Sequence, residues 1–451
     1  MPRAPSPLLL LPALLLACAP SNADIPDDAD TSTTDLSEST ATTDAATTTT
    51  TGETPTTTGD DPSTGDGPST GDNPSTGDDP STGDDPSTGG DGPAIVLDAP
   101  CTIDVADPTR LAVITNDFMA PASLHVVDIA TGTLTADLAP APSDPALAWG
   151  DDKLVVIGRF GINTLDVYGG QDLTPLATYD VVVPGVADAN PQALAFGPDG
   201  HGYLSLFASA TIPVYDLDLP PQGAMVDSLD LAAFADRDGS PEPGVAFTCG
   251  GVMFVAIQRL VDFAPIDLSY LVAVDLTTGA MIDLDPAAAG TQALPLLGPW
   301  AKQVRLDPTD PDGHTVLVLT SGVERVNLSL GTSTWAVAPT VLAGVDVDGF
   351  DPQAFSVAQD GASIHLLATD GDYPDAAVFH IGVDGQEPAT PQVLVDGLVS
   401  REKTLERTGS FLWVGDAAIA QPRLRSFDLA DDSERPPVAM TAAPYLVLAI
   451  P

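Results

Sequence analysis

Lysine and arginine are nearly missing from this chain. Its 451 residues hold 15 of them against 64 aspartates and glutamates, a formal charge of −49. So acidic a surface has no cations with which to displace phosphate counterions, which excludes nucleic acid and anionic headgroups as electrostatic partners. The same excess of acid is expected to repel phosphorylated or carboxylated substrates. Glutamate is scarce too: eight of the acids are Glu and 56 are Asp. Asp prefers turns and caps to helix interiors, and 40 Gly and 44 Pro add to the load of helix breakers, so a mostly helical protein is excluded. Beyond a short N-terminal stretch, no segment is long and apolar enough to span a bilayer. There is no Walker loop, no G-x-G-x-x-G after a strand, no C-x-x-C-H and, from residue 95 onward, no G-x-S-x-G elbow, so the usual nucleotide, hydrolase and haem signatures are lacking. Yet 43% of residues are hydrophobic and mean hydropathy is +0.13, which excludes a wholly disordered chain.

Residues 1–18 read MPRAPSPLLLLPALLLAC. Arg3 gives a basic start. The apolar stretch from Leu8 to Ala17 suits a signal-peptide core and is too short to cross a membrane. It ends in Leu15-Leu16-Ala17-Cys18, which resembles the lipobox of bacterial lipoproteins. The resemblance implies cleavage before Cys18, lipidation of that thiol and a stable acyl anchor. An ordinary signal peptide cut near Ala17 or Ala19 is the alternative. Ala19, rather than Asp, follows the cysteine, and by analogy with bacterial sorting this favours the outer membrane.

Residues 19–94 contain almost nothing to bury and no Lys or Arg. Positions 59–88 repeat GDDPST, GDGPST, GDNPST, GDDPST and GDDPST. A β-helical solenoid needs an apolar residue in each coil, and none is present. Asp60, Asp66, Asp72, Asp78 and Asp84 recur every six residues, which is two turns of polyproline II, or roughly 19 Å. That spacing cannot chelate one ion. The segment is therefore expected to be a disordered, self-repelling tether. Its roughly 75 residues span about 45–50 Å as flexible coil and about 230 Å as extended polyproline II. Its Thr, Ser and Pro also fit a glycosylated stalk.

From residue 95 the texture changes. Short β-branched runs at 111–115, 154–158, 252–257, 271–274, 316–320, 364–368 and 411–414 are bounded by Gly, Asp or Pro, the mark of an all-β domain. Beneath them lies a repeat, clearest as LHVVDIATG at 124–132 and LVAVDLTTG at 271–279. Aligned on Asp128, Asp166, Asp216, Asp275, Asn327, His380 and Asp428, the intervals average 50 residues. Upstream turns such as GPDG at 197–200, PDG at 311–313 and QDG at 359–361 supply a second hairpin per unit. Two hairpin turns imply four strands, so residues 95–451 are expected to form a seven-bladed β-propeller. In each unit the Asp accepts turn N–H groups. Ring closure should use a terminal strand, with 445–450 and 95–97 as candidates. The pattern resembles the YVTN-type repeats of bacterial cell-surface propellers, although the tetrad is degenerate here (AVIT at 112–115, VAIQ at 255–258). The segment 228–247 also resembles a loop of YVTN-like lipoproteins of unassigned function.

With Cys18 lipidated, Cys101 and Cys249 remain in an oxidising compartment, where simple arithmetic pairs them. The blade register argues against a Cys101–Cys249 disulfide. It puts one cysteine before unit 1 and the other at the end of the first strand of unit 4, too far apart for the roughly 7 Å limit on Cα separation. The five histidines, His125, His201, His314, His365 and His380, show no metal-ligand spacing. Carboxylate clusters are the one enriched feature: Asp236 and Asp238 with Glu242; Asp307, Asp310 and Asp312; Asp346, Asp348 and Asp351; Asp370, Asp372 and Asp375. Their spacing with glycine suits Ca²⁺, though none completes an EF-hand.

Two functions follow. One is a membrane-anchored envelope lipoprotein, monomeric, that displays the propeller as a binding or scaffold module for a protein or glycan partner. The other is a lactonase-like hydrolase, because phosphogluconolactonase- and gluconolactonase-type enzymes are also propellers and the latter hold a divalent metal with carboxylates. Fold does not separate them; the lining of the central funnel does.

Overall fold

The computed structural model describes residues 95–451 apart from 117–121, 238, 262–263, 286–289, 344–350, 370–374, 384–389, 401–402 and 419. Cys18 and the tether lie outside the described residues. Seven antiparallel sheets form a ring of blades, and Leu260–Val261 pairs with Ala264–Pro265 in a separate two-stranded sheet. Blade 2 is typical: Pro145–Gly150, Lys153–Gly158, Thr164–Gly169 and Pro175–Asp180 follow one another outward from the axis. Blades 3 to 7 begin at the axis with Pro191–Phe196, Pro243–Cys249, Gln303–Leu306, Asp351–Val357 and Leu405–Thr408. Helix is confined, among the described residues, to a 3₁₀ turn at Ala232–Phe234 and one turn at Pro339–Leu342.

The β-branched runs are buried on both faces because each blade is sandwiched between two others. In Val252–Ile257 all six residues are buried. Met253, Val255 and Ile257 pack toward blade 3, while Val252, Phe254 and Ala256 pack toward blade 5. A two-residue period with two apolar faces reads as an unbroken hydrophobic run. Seven hydrophobic clusters fill the seven gaps between blades. Outer strands such as Met225–Asp230 are largely exposed.

The seven aligned repeat positions all fall in, or directly after, the third strand of a blade. Asp128 Oδ1 accepts the Thr131 N–H at 2.8 Å, and Asp275 Oδ1 accepts those of Thr277 and Thr278 at 2.8 and 3.3 Å. Asp216, Asn327 and Asp428 do the same for Asp218, Leu330 and Ala430. Hydrogen bonds from Thr131 hold the Asp128 carboxyl below the usual carboxylate range, and those from Thr277 and Thr278 do so for Asp275. Blade 2 departs from the pattern: Asp166 lies inside the strand, and Asp172 takes over the turn by accepting the Thr174 N–H.

The ring closes through the C-terminus. Pro444–Ile450 is the innermost strand of blade 1 and pairs with Arg110–Thr115. Residues 95–97 play no part in this closure, contrary to the sequence expectation. Ile95 and Leu97 instead pack between blades 4 and 5.

The seven inner strands run in one sense, from a first mouth of the ring to a second. Residues 95–109 cross that second mouth. The Ile95 N–H donates to the Ser329 carbonyl and the Cys101 N–H to that of Gly313. Cys101–Thr102 then pairs with the end of Pro243–Cys249, so that Cys101 stands directly opposite Cys249. The two are joined by a disulfide across 148 residues of sequence. The expectation against this bond failed because it placed Cys101 on the rim of blade 1. The chain reaches the second mouth before blade 1 begins and adds a short fifth strand to the inner edge of blade 4. Gly313 permits the approach, since a Cβ there would meet Pro100 at 2.6 Å; at Gly250 one would meet the Ala99 nitrogen at 2.8 Å.

Candidate functional site

The axis holds a cavity of about 840 Å³, within the roughly 300–1,000 Å³ range of small-molecule sites. Its wall is built mainly by the inner strands: Ala146, Leu147, Ala193, Val245, Ala246, Val304 and Val447, with Trp149, Gln192, Thr248 and Gln303 as larger or polar members. Residues 98–103 form the part of the wall contributed by the crossing segment. A second hollow of about 870 Å³ shares Ile103, Trp149, Arg305, Glu406 and Leu448 with the first.

A buried ion cluster stands where the two hollows meet. Arg305 donates from Nη1 to Asp104 at 2.8 Å and from Nη2 to Glu406 at 2.6 Å. Asp104 also accepts the Leu306 N–H at 3.0 Å, which ties the crossing segment to blade 5. The side chains of Arg305 and Glu406 are 15% and 5% exposed. Burial pulls the Arg305 guanidinium down, but Glu406 and Asp104 push it up further, and it stays charged. Buried charge persists only when paired in this way. The Nε of Arg305 is buried without a hydrogen-bond partner.

The lining is far less acidic than the domain, although Asp144, Asp351 and Asp104 pair with three of its cations from just outside it. Residues 99–451 carry 14 basic against 46 acidic residues. Among the described residues, the cavity is lined by Arg159, Lys302, Arg305 and Lys403 against Asp98, Asp151 and Glu406. The expected repulsion of anions therefore does not hold uniformly, because the few cations are gathered at the axis. Arg159 is held by Asp144 at 2.5 Å, and Lys302 by Asp351 at 2.7 Å and the Pro352 carbonyl at 2.8 Å. Trp300 and Phe160 are 38% and 67% exposed beside these cations in sequence.

The carboxylates singled out in the sequence lie elsewhere. Asp236 shapes a turn closed by the Gly239 N–H. Glu242 is buried, and its Oε2 accepts the Leu260 N–H at 3.0 Å. Asp307 is 1% exposed, accepts from Thr309 and receives Arg325 Nε at 2.6 Å. Asp310 accepts the N–H groups of Asp312 and His314. Asp351 binds Lys302, and Asp375 opens the third strand of blade 6. Asp238, Asp346, Asp348, Asp370 and Asp372 lie outside the described residues. None of the described seven lines the axial cavity. Among the described residues, no three His, Cys, Asp or Glu stand close enough to share a metal.

Sequence reading also missed a histidine pair. His365 and His380 face each other across neighbouring strands, His365 Nε2 lying 3.2 Å from His380 Nδ1. Burial, then His380 and Arg407, pushes His365 down to about 3. The signal for both finds was register. Had the repeat alignment been extended to the first strand of each unit, Trp149, Gln192, Gln303, Arg305 and Glu406 would have appeared together on the axis.

No family model and no curated protein sequence matches the chain. Among solved structures, the periplasmic gluconolactonase PpgL of Pseudomonas aeruginosa is similar over 76% of this chain and 99% of its own, at 16% identity and a TM-score of 0.52. A Lactobacillus plantarum protein is similar over 76% and 99%, at 16% identity and a TM-score of 0.49. A functionally unknown protein of Desulfotomaculum acetoxidans is similar over 75% and 98%, at 12% identity and the same score. What is shared is the propeller fold.

Proposed function

We propose that this chain is a lipid-anchored protein of the bacterial cell envelope that carries a ligand-binding β-propeller on an acidic tether. The axial cavity carries the reading: it has the size of a ligand site, a wall of mixed apolar and polar side chains, and four of the domain's 14 bases in its lining. Leu15-Leu16-Ala17-Cys18 supports the anchor, and the YVTN-like repeats support a surface location. PpgL's name points instead to a lactonase, and a lactonase with a carboxylate-held metal would need carboxylates converging on the axis. None of the described candidates lines the axial cavity, and Asp351 is bound to Lys302.

Two measurements test this function. Incorporation of labelled palmitate and detergent-phase partition should both disappear in Cys18→Ser; label retained by that variant would remove the anchor. Titration of the full chain with the neutral dye N-phenyl-1-naphthylamine should reveal one saturable site, weakened in Ala193→Trp, which pushes an indole into the cavity. Unsaturable binding, or binding indifferent to that substitution, would remove the ligand site.

A further inference from the structure

We infer that the axial cavity takes a small organic anion with a flat apolar body. The inference rests on the binding reading above and adds the chemistry of the ligand.

The first support is the supply of donors. An ammonium has three N–H groups and a guanidinium five. Lys302 spends two, on Asp351 and on the Pro352 carbonyl. Arg305 spends two of its five, on Asp104 and Glu406. The acidic partners fix both cations in place without exhausting them, which is how a charged group is preorganised to receive a ligand. A carboxylate or sulfonate accepts such forked N–H groups well, and a neutral ligand does not.

The second support is Trp300. It holds a φ of +58°, a conformation that a bulky side chain rarely adopts and that gathers at binding sites. This backbone places the indole beside the cavity's Lys302, whose Nζ lies 5.9 Å from the ring centroid. Lys302 precedes the inner strand of blade 5, so the pair stands at the first mouth. A partly exposed aromatic face next to a cation suits a ligand that is flat at one end and anionic at the other.

The third support is contrast. In a domain with 46 acids against 14 bases, four of the bases and three of the acids line the cavity, so an anion meets less repulsion at the axis than on the rest of the surface.

The test compares two dyes of similar shape on the purified full-length chain: anionic 1-anilinonaphthalene-8-sulfonate and neutral N-phenyl-1-naphthylamine. The anionic dye should bind once per chain. In Lys302→Gln with Lys403→Gln its affinity should fall about tenfold or more, while the neutral dye changes less than about twofold and the melting temperature stays put. Equal affinity of the anionic dye in both proteins would overturn the anion inference and leave the cavity reading standing on the neutral dye. Loss of both dyes from a variant that melts normally would also overturn it. If neither dye saturates on the unaltered chain, the binding reading itself falls.

Discussion

Replacing both Cys101 and Cys249 by alanine cuts a bond that spans 148 residues of sequence. Chain-entropy arithmetic for a loop of that length gives about 5 kcal/mol of lost stability at 25 °C, because the open chain regains the conformations the cross-link had removed. A domain of about 360 residues has an unfolding entropy near 0.75 kcal/mol/K, so a single cooperative transition should shift downward by about 7 °C. The packing supplies a second route. Residues 95–103 are also held by Ile95 and Leu97 between blades 4 and 5 and by the Asp104–Arg305 pair. If those contacts give way before the ring does, the segment peels off alone. Calorimetry with and without reductant, combined with limited proteolysis, separates the two. A full shift means the staple holds the whole ring. A smaller shift with early cleavage near residues 95–108 means it holds the segment. A melting temperature within about 1 °C of the oxidised protein, with no linked 101–249 peptide in a non-reducing mass map, would refute the reasoning.

Four other perturbations have defined outcomes. His365 sits near 3 in the fold and at its ordinary value of 6.5 when unfolded. The unfolded chain therefore takes up its proton first, and stability falls by about 1.4 kcal/mol per pH unit from about 6.5 down toward 3. His365→Gln should flatten the pH 4.5–6.5 slope by about that amount in urea titrations, and an imidazole NMR titration above pH 5 would contradict it. Asp307→Ala strands Arg325 and two turn donors, which should cost about 1–3 kcal/mol by denaturant unfolding; a loss below 0.5 would show the pair is inert. Gly313→Val drives a side chain into Pro100 and should raise protease cleavage near residues 95–108 with the ring still folded; an unchanged digest would contradict the seat described for that segment. Calcium should move the melting temperature by less than about 1 °C if the described acids act in turns, and a saturable rise traced to the 346–351 or 370–375 acids would restore an ion site.

The sequence made the blade legible because its chemistry is local. Asp128, Asp275 and Asp428 announce the third strand through turn N–H groups two or three residues away, and runs such as Val252–Ile257 announce a strand buried on both faces. What it hid depends on register between distant segments. Cys101 meets Cys249, and Asp104 meets Arg305 and through it Glu406, only because the chain crosses a mouth before it starts a blade. The carboxylate clusters misled for a related reason. In a chain with 56 aspartates the acids mark turns, and Asp307 and Asp310 bind N–H groups of their own loops. The informative residues at the axis were the rare ones, Arg159, Lys302, Arg305 and Lys403, and no local motif flags an isolated base.

The claim that most needs testing is that the axis attracts anions while the rest of the domain repels them. Crystals of the chain soaked in iodide test it directly through anomalous scattering. The strongest peak should lie in the axial cavity among Lys302, Arg305 and Lys403. Peaks confined to the outer faces of the blades, with the axis empty, would contradict the account.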